Sequence, residues 1–154
     1  TSLRMRFLDI YEQALCKHTA LFDGMETLLA TLEAQGIAWG VVTNKPERFT
    51  LPLMDALGLA GRAAAIVGGD TTAKAKPDPL PLLHACTVAG VAATASAYVG
   101  DDLRDIQAGR AAGMRTFAAA WGYLGDGPPI GAWGADHMIS EPGALLEDIA
   151  QGGW

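Results

Sequence analysis

Tyr98-Val99-Gly100-Asp101-Asp102-Leu103-Arg104-Asp105 ends an apolar run that starts at Ala95, and a helical pattern follows it at once. The stretch places three carboxylates within five positions. One acid at the start of a helix is explained by the helix dipole or by capping. Three acids where a buried strand gives way to a helix suit a hard cation such as Mg²⁺, which takes oxygen ligands. Asp101 and Asp105 are one helical turn apart and share a face, and Asp102 between them reads as the N-cap.

The elements on either side give the fold. Short apolar runs at Ile37–Val42, Ala64–Val67, Ala95–Val99, Met114–Ala119 and His137–Ser140 alternate with helical patterns that start near Asp23, Pro46, Leu80, Asp102 and Pro142. Runs apolar on both faces belong to buried parallel strands. Alternation of strand and helix predicts a doubly wound α/β fold with a parallel sheet between two helical layers. Leu3, Phe7, Ile10, Tyr11, Ala14 and Leu15 recur at helical spacing, so residues 3–18 are predicted to form an amphipathic helix ahead of this core. Pro52 falls inside one predicted helix, and the Gly/Pro-rich stretch Trp121–Gly134 is long for a connection in a compact domain.

Composition narrows the function. The chain has 154 residues, a net charge of -6 and a pI near 4.9, which argues against a nucleic-acid binder that would need a basic patch. No apolar run reaches the roughly 18 residues of a membrane span, and the N-terminus does not read as a signal peptide. Cys16 and Cys86 are far apart, without metal or redox spacing. They read as buried free thiols in a reducing compartment, which gives the cytoplasm as the expected location. His18, His84 and His137 fall on separate elements and make no metal cluster, while Trp39 and Trp133 read as packing residues.

Ligand sites in such folds lie beyond the carboxyl ends of the strands, and the polar residues fall there. Thr43 and Asn44 follow one strand and offer hydroxyl and amide donors. Lys76 lies in the loop after the next and offers a point charge for phosphoryl oxygens. Asp101 and Asp105 follow the third. Together they describe a phosphate site beside a divalent ion, the ingredients of phosphoryl transfer.

Val-Val-Thr-Asn-Lys-Pro at 41–46, Lys76-Pro77-Asp78-Pro79 and Val-Gly-Asp-Asp-Leu-Arg-Asp at 99–105 resemble, in order and in placement after successive strands, three motifs of the haloacid dehalogenase superfamily. Thr-Asn-Lys-Pro-Glu-Arg-Phe, Gly-Gly-Asp-Thr-Thr and Trp-Gly-Tyr-Leu-Gly-Asp-Gly-Pro-Pro are similar to its branch of bacterial phosphoglycolate phosphatases and N-acetylmuramic acid 6-phosphate phosphatases. The resemblance implies a Mg²⁺-dependent phosphomonoester hydrolase with a Rossmann-like three-layer core. Asp101 would be the metal ligand, Thr43, Asn44 and Lys76 the phosphate contacts, and Lys76 and Asp105 the catalytic support. The implied partner is a small phosphorylated metabolite, with no nucleic acid and no membrane.

The family's nucleophile motif, Asp-x-Asp-Gly-Thr after the first strand, is absent from the sequence. The expectation is therefore that residues 1–20 are a remnant of the helical cap and 21–154 an incomplete core. On that reading the nucleophile strand and most of the cap are missing, and the chain is inactive alone. The missing strand would lie between the Thr43 and Asp101 strands, leaving a gap that could drive self-association. The alternative is a non-catalytic phosphate- or metal-binding or assembly module.

Overall fold

The computed structural model describes residues 7–17, 20–122 and 127–150. In chain order the elements are β1 (Phe7–Ile10), α1 (Glu12–Leu15), β2 (Cys16–Lys17), β3 (Ala20–Leu21), α2 (Met25–Ala34), β4 (Ala38–Val42), α3 (Glu47–Ala56), β5 (Ala65–Val67), α4 (Leu80–Ala89), β6 (Ser96–Gly100), α5 (Leu103–Ala111), β7 (Arg115–Ala119), β8 (His137–Ile139) and α6 (Gly143–Ala150). Six strands form one sheet in the order β5-β4-β1-β6-β7-β8, every pairing parallel, and β2 and β3 form a small antiparallel pair. The doubly wound α/β reading holds, and the strands and helices from residue 24 onward fall within a few residues of their predicted bounds.

The segment before residue 18 corrects the prediction. Instead of one helix over 3–18, Phe7–Ile10 is a strand in the middle of the sheet, and the helical turn shrinks to Glu12–Leu15; residues 3–6 and 18 lie outside the described residues. The gap expected between the Thr43 and Asp101 strands is filled by this strand. The physical reason is the hydrogen-bonding demand of the two flanking strands. The facing edges of β4 and β6 carry backbone donors and acceptors, and each one buried without a partner costs about 1–3 kcal/mol. A helix would satisfy only itself, whereas β1 pairs with both edges, Ile10 lying beside Val41 on one side and Val99 on the other.

Alternation along β1 divides the core. Leu8 and Ile10 face the layer of α2, α3 and α6, packing with Leu28, Leu32, Met54 and Leu145. Phe7 faces the other layer with Tyr98, Val42, Leu82, Ala85 and Ala108, the side of α4 and α5. Gly40 makes room for Phe7, since a Cβ there would lie 2.7 Å from the ring and 2.8 Å from the Ala65 carbonyl. Trp39 and Trp133 are buried packing residues, and Cys16 and Cys86 are free and buried. Among the described residues, no helix is long and apolar enough to cross a membrane.

Candidate functional site

The strand register brings the polar residues to one level. Val41, Ile10 and Val99 form a row across β4, β1 and β6, and Thr43, Glu12 and Asp101 each stand two residues beyond it. The Lys76 loop closes over the same edge, where Asn44 holds its main chain. The Asn44 side chain accepts from Lys76 N at 3.0 Å and donates to Lys76 O at 3.1 Å. That amide, expected as a phosphate donor, is thus engaged in placing the lysine loop. The Thr43 hydroxyl accepts from Lys45 N at 3.1 Å and keeps its proton for a ligand.

Lys76 is enclosed. Its Nζ donates to Asp105 Oδ1 at 2.6 Å, Tyr98 Oη at 2.7 Å and the Val42 carbonyl at 3.3 Å, which uses all three ammonium protons. The Tyr11 ring lies against the same group, 3.7 Å from Nζ to the ring centroid, and the lysine side chain is 1% exposed. Burial pulls the lysine's pKa down, opposed chiefly by Asp105. Burial likewise raises that of Asp105, opposed by Lys76. Replacing Tyr11 with alanine removes the aromatic face, worth about 1–2 kcal/mol at a desolvated site. The expected result is faster acylation of Lys76 in peptide mapping by mass spectrometry, against an unchanged rate at exposed Lys74.

Asp105 is fully used. Besides Lys76, it accepts from the backbone N–H groups of Asp101 and Asp102, both at 3.1 Å. Gly100 permits this approach, because a Cβ there would collide with the Asp105 side chain. Asp102 is the N-cap of α5 as predicted. Its carboxylate accepts from Arg104 N, and with Asp105 it completes a capping box. Asp101 has a different character. It is buried, its Oδ2 has no hydrogen-bond partner, and burial with the nearby Asp105 charge pushes its pKa up to about 8.

An orphaned carboxylate oxygen on a strand end suits a cation. Glu12 Oε2 is a second such oxygen on this edge, while its Oε1 is paired with Lys45 at 3.3 Å. Among the described residues, no group of three His, Cys, Asp or Glu side chains could hold a metal ion. Mg²⁺ usually takes only one or two carboxylates and completes its shell with water and phosphate. Asp101 therefore fits as an anchor for Mg²⁺, though not as a cage.

A family model described as haloacid dehalogenase-like hydrolase matches residues 2–119. The chain belongs to this family. A phosphoglycolate phosphatase of Xanthomonas campestris pv. campestris (strain 8004) is 51% identical over 94% of this chain and 65% of its own length. An N-acetylmuramic acid 6-phosphate phosphatase of Pseudomonas putida is 45% identical over 96% of this chain and 66% of its own. The chain thus spans just under two thirds of these curated relatives. In the crystal structure of a predicted phosphoglycolate phosphatase from Haemophilus somnus 129PT, 57% of that chain superposes on 84% of this one, with a TM-score of 0.77 and 29% identity.

Within this family member, four residues at or beneath the edge escaped the sequence reading: Asp9, Tyr11, Glu12 and Tyr98. Asp9 sits inside β1, wholly buried, with both oxygens unpartnered. Asp9, Tyr11 and Glu12 were hidden by the helical period of residues 3–18. A usable signal was the charge that Asp9 places inside the apolar run Phe7–Ile10. Lys45 pairs with Glu12, and Arg48 stacks on exposed Phe49 at 4.9 Å. Asp70 accepts from Glu47 N at 2.8 Å. His137 stacks on Phe117 and faces Asp148 at 3.6 Å, away from this edge. His18, and residues 123–126 of the long Gly/Pro-rich stretch, lie outside the described residues.

Proposed function

We propose that this chain carries the phosphate-holding and cation-holding part of a Mg²⁺-dependent phosphomonoester hydrolase. Phosphoglycolate is the first substrate class to test and N-acetylmuramic acid 6-phosphate the second. The observation that carries the reading is the convergence of Thr43, Lys76 and Asp101 on one sheet edge, each following a different strand. The Thr43 hydroxyl donates to a phosphoryl oxygen. Lys76, fixed by Asp105, supplies positive charge. Asp101 would hold Mg²⁺, which when bound neutralises phosphate charge.

Covalent phosphoryl transfer in this family needs an aspartate nucleophile, and neither acid that β1 and α1 bring to this edge is free to serve as one. Asp9 is sealed within the sheet, and the Glu12 carboxylate is tied to Lys45. These two observations favour phosphate and cation binding without turnover for residues 1–154 by themselves. The two free thiols support a reducing compartment such as the cytoplasm.

Titration of phosphoglycolate followed by ³¹P NMR tests the binding. Mg²⁺ is expected to tighten it in the wild type and to have no effect in Asp101→Asn. Thr43→Val is expected to weaken it about fivefold, the worth of one hydrogen bond of about 1 kcal/mol. Equal Mg²⁺ dependence in wild type and Asp101→Asn would remove the cation role.

A further inference from the structure

Tyr98 does more than fill space. Its ring lies in the core with Phe7 and Leu82 and is completely buried, yet its hydroxyl sits at the functional edge. There it accepts from Lys76 Nζ at 2.7 Å and donates to the Val42 carbonyl at 3.1 Å. Tyr98 belongs to β6 and Val42 to β4, with β1 between them, so the side chain bridges two strand spacings, roughly 10 Å. Phenylalanine would fill the same core volume but leave the lysine and the carbonyl one partner short.

The carbonyl in question is placed to matter. The Val42–Thr43 peptide is held at both ends: its C=O accepts from Tyr98 and Lys76, and its N–H donates to the Val67 carbonyl at 2.9 Å. The next atom along is the Cα of Thr43, whose side chain carries the hydroxyl. One phenol therefore touches both groups assigned to the phosphate site, the charge-bearing ammonium directly and the threonine through its peptide. Burial raises the Tyr98 pKa, which keeps the phenol protonated and able to donate. Asp105, the Val42 carbonyl and the Tyr11 face complete the surroundings of Nζ.

We propose that Tyr98 is a positioning residue that holds the Lys76 ammonium and the Val42–Thr43 peptide in one fixed relation across the middle strand. The inference rests on the reading of Thr43 as the phosphate donor and Lys76 as the nearby positive charge, but the tether itself is measurable without phosphate. The experiment compares wild type with Tyr98→Phe by NMR of the lysine ¹⁵Nζ–H groups and by amide hydrogen exchange. In the wild type a protected Lys76 Nζ resonance is expected, because the group is buried and all its protons are bonded. In Tyr98→Phe that resonance broadens into exchange with water, and the Thr43 amide exchanges about tenfold faster. Amides of α2 and α6, on the opposite face, stay protected to the same degree.

Inorganic phosphate is the binding probe, and its affinity is expected to fall about fivefold in Tyr98→Phe. An unchanged Lys76 resonance and Thr43 exchange rate in a folded Tyr98→Phe protein would overturn the tether. A lost resonance with unchanged phosphate affinity would overturn the positioning role. Loss of the resonance with no phosphate binding in either protein supports the tether and removes the phosphate reading instead. Should Tyr98→Phe not fold, the wild type carries the test through the nuclear Overhauser effect between the Tyr98 hydroxyl and Lys76 Nζ protons. Its absence would overturn the proposal.

Discussion

Truncating Asp105 to alanine is expected to cost about 3–5 kcal/mol of folding stability, the range for removing one partner of a buried ion pair. Its carboxylate meets a lysine that is 1% exposed, at 2.6 Å, and accepts two backbone N–H groups at the start of α5. Removal leaves the Lys76 ammonium buried with only a phenol, a carbonyl and a ring face. It also orphans the amides of Asp101 and Asp102 and breaks the capping box. For a chain of this size the loss corresponds to a melting point lower by roughly 10 °C or more. Urea unfolding followed by the fluorescence of buried Trp39 and Trp133 reads it. Exchanging both partners for apolar residues, Asp105→Leu with Lys76→Met, should recover most of the loss, since an apolar pair leaves no buried charge uncompensated. A double variant no more stable than Asp105→Ala would mean that packing, not charge, holds this corner.

The second large effect has the opposite sign. Replacing Asp9 with valine is expected to stabilise the fold by about 2 kcal/mol, the cost released when an unpartnered buried polar group becomes apolar. Asp9 is in the central strand with no hydrogen bond to either oxygen, and burial holds its pKa well above the ordinary carboxyl value, opposed by Lys76. A raised folded-state pKa means that the native state binds the proton more tightly than the unfolded chain does. The resulting stability is full below the unfolded value near 3.9 and is lost as pH rises through the folded one. Wild type should therefore lose stability relative to Asp9→Val as pH increases. A constant difference between the two proteins from pH 4 to pH 8 would show that Asp9 is not buried as an unpaired acid.

These two residues also mark what the sequence disclosed and what it hid. Asp101, Asp102 and Asp105 were legible because three acids at one strand end exceed what a cap requires. The structure makes Asp102 the N-cap, as the spacing suggested, and it gives Asp101 a buried unpartnered oxygen and Asp105 a pairing with Lys76 that the spacing did not show. Thr43 and Lys76 were legible from their places after successive strands. The side-chain bonds of Asn44 were not, because nothing local distinguishes an amide that faces a ligand from one that binds a loop 32 residues away. Segment 3–18 misled for a different reason. Its apolar residues recur at helical spacing, and the demand that makes Phe7–Ile10 a strand comes from β4 and β6, which lie about 30 and 90 residues further along. Tyr98 was quoted as part of an apolar run, and only the fold shows its hydroxyl reaching across β1.

The chain belongs to the haloacid dehalogenase-like hydrolases, and the function proposed above gives it the phosphate- and cation-holding side of their chemistry without turnover. Phosphoglycolate with Mg²⁺, followed by ³¹P NMR in the presence of purified residues 1–154, addresses both halves at once. The account predicts a saturable shift of the phosphoglycolate resonance that Thr43→Val weakens, with no inorganic phosphate appearing above the buffer control. Mg²⁺-dependent release of inorganic phosphate by the wild-type chain, abolished in Asp101→Asn, would contradict it.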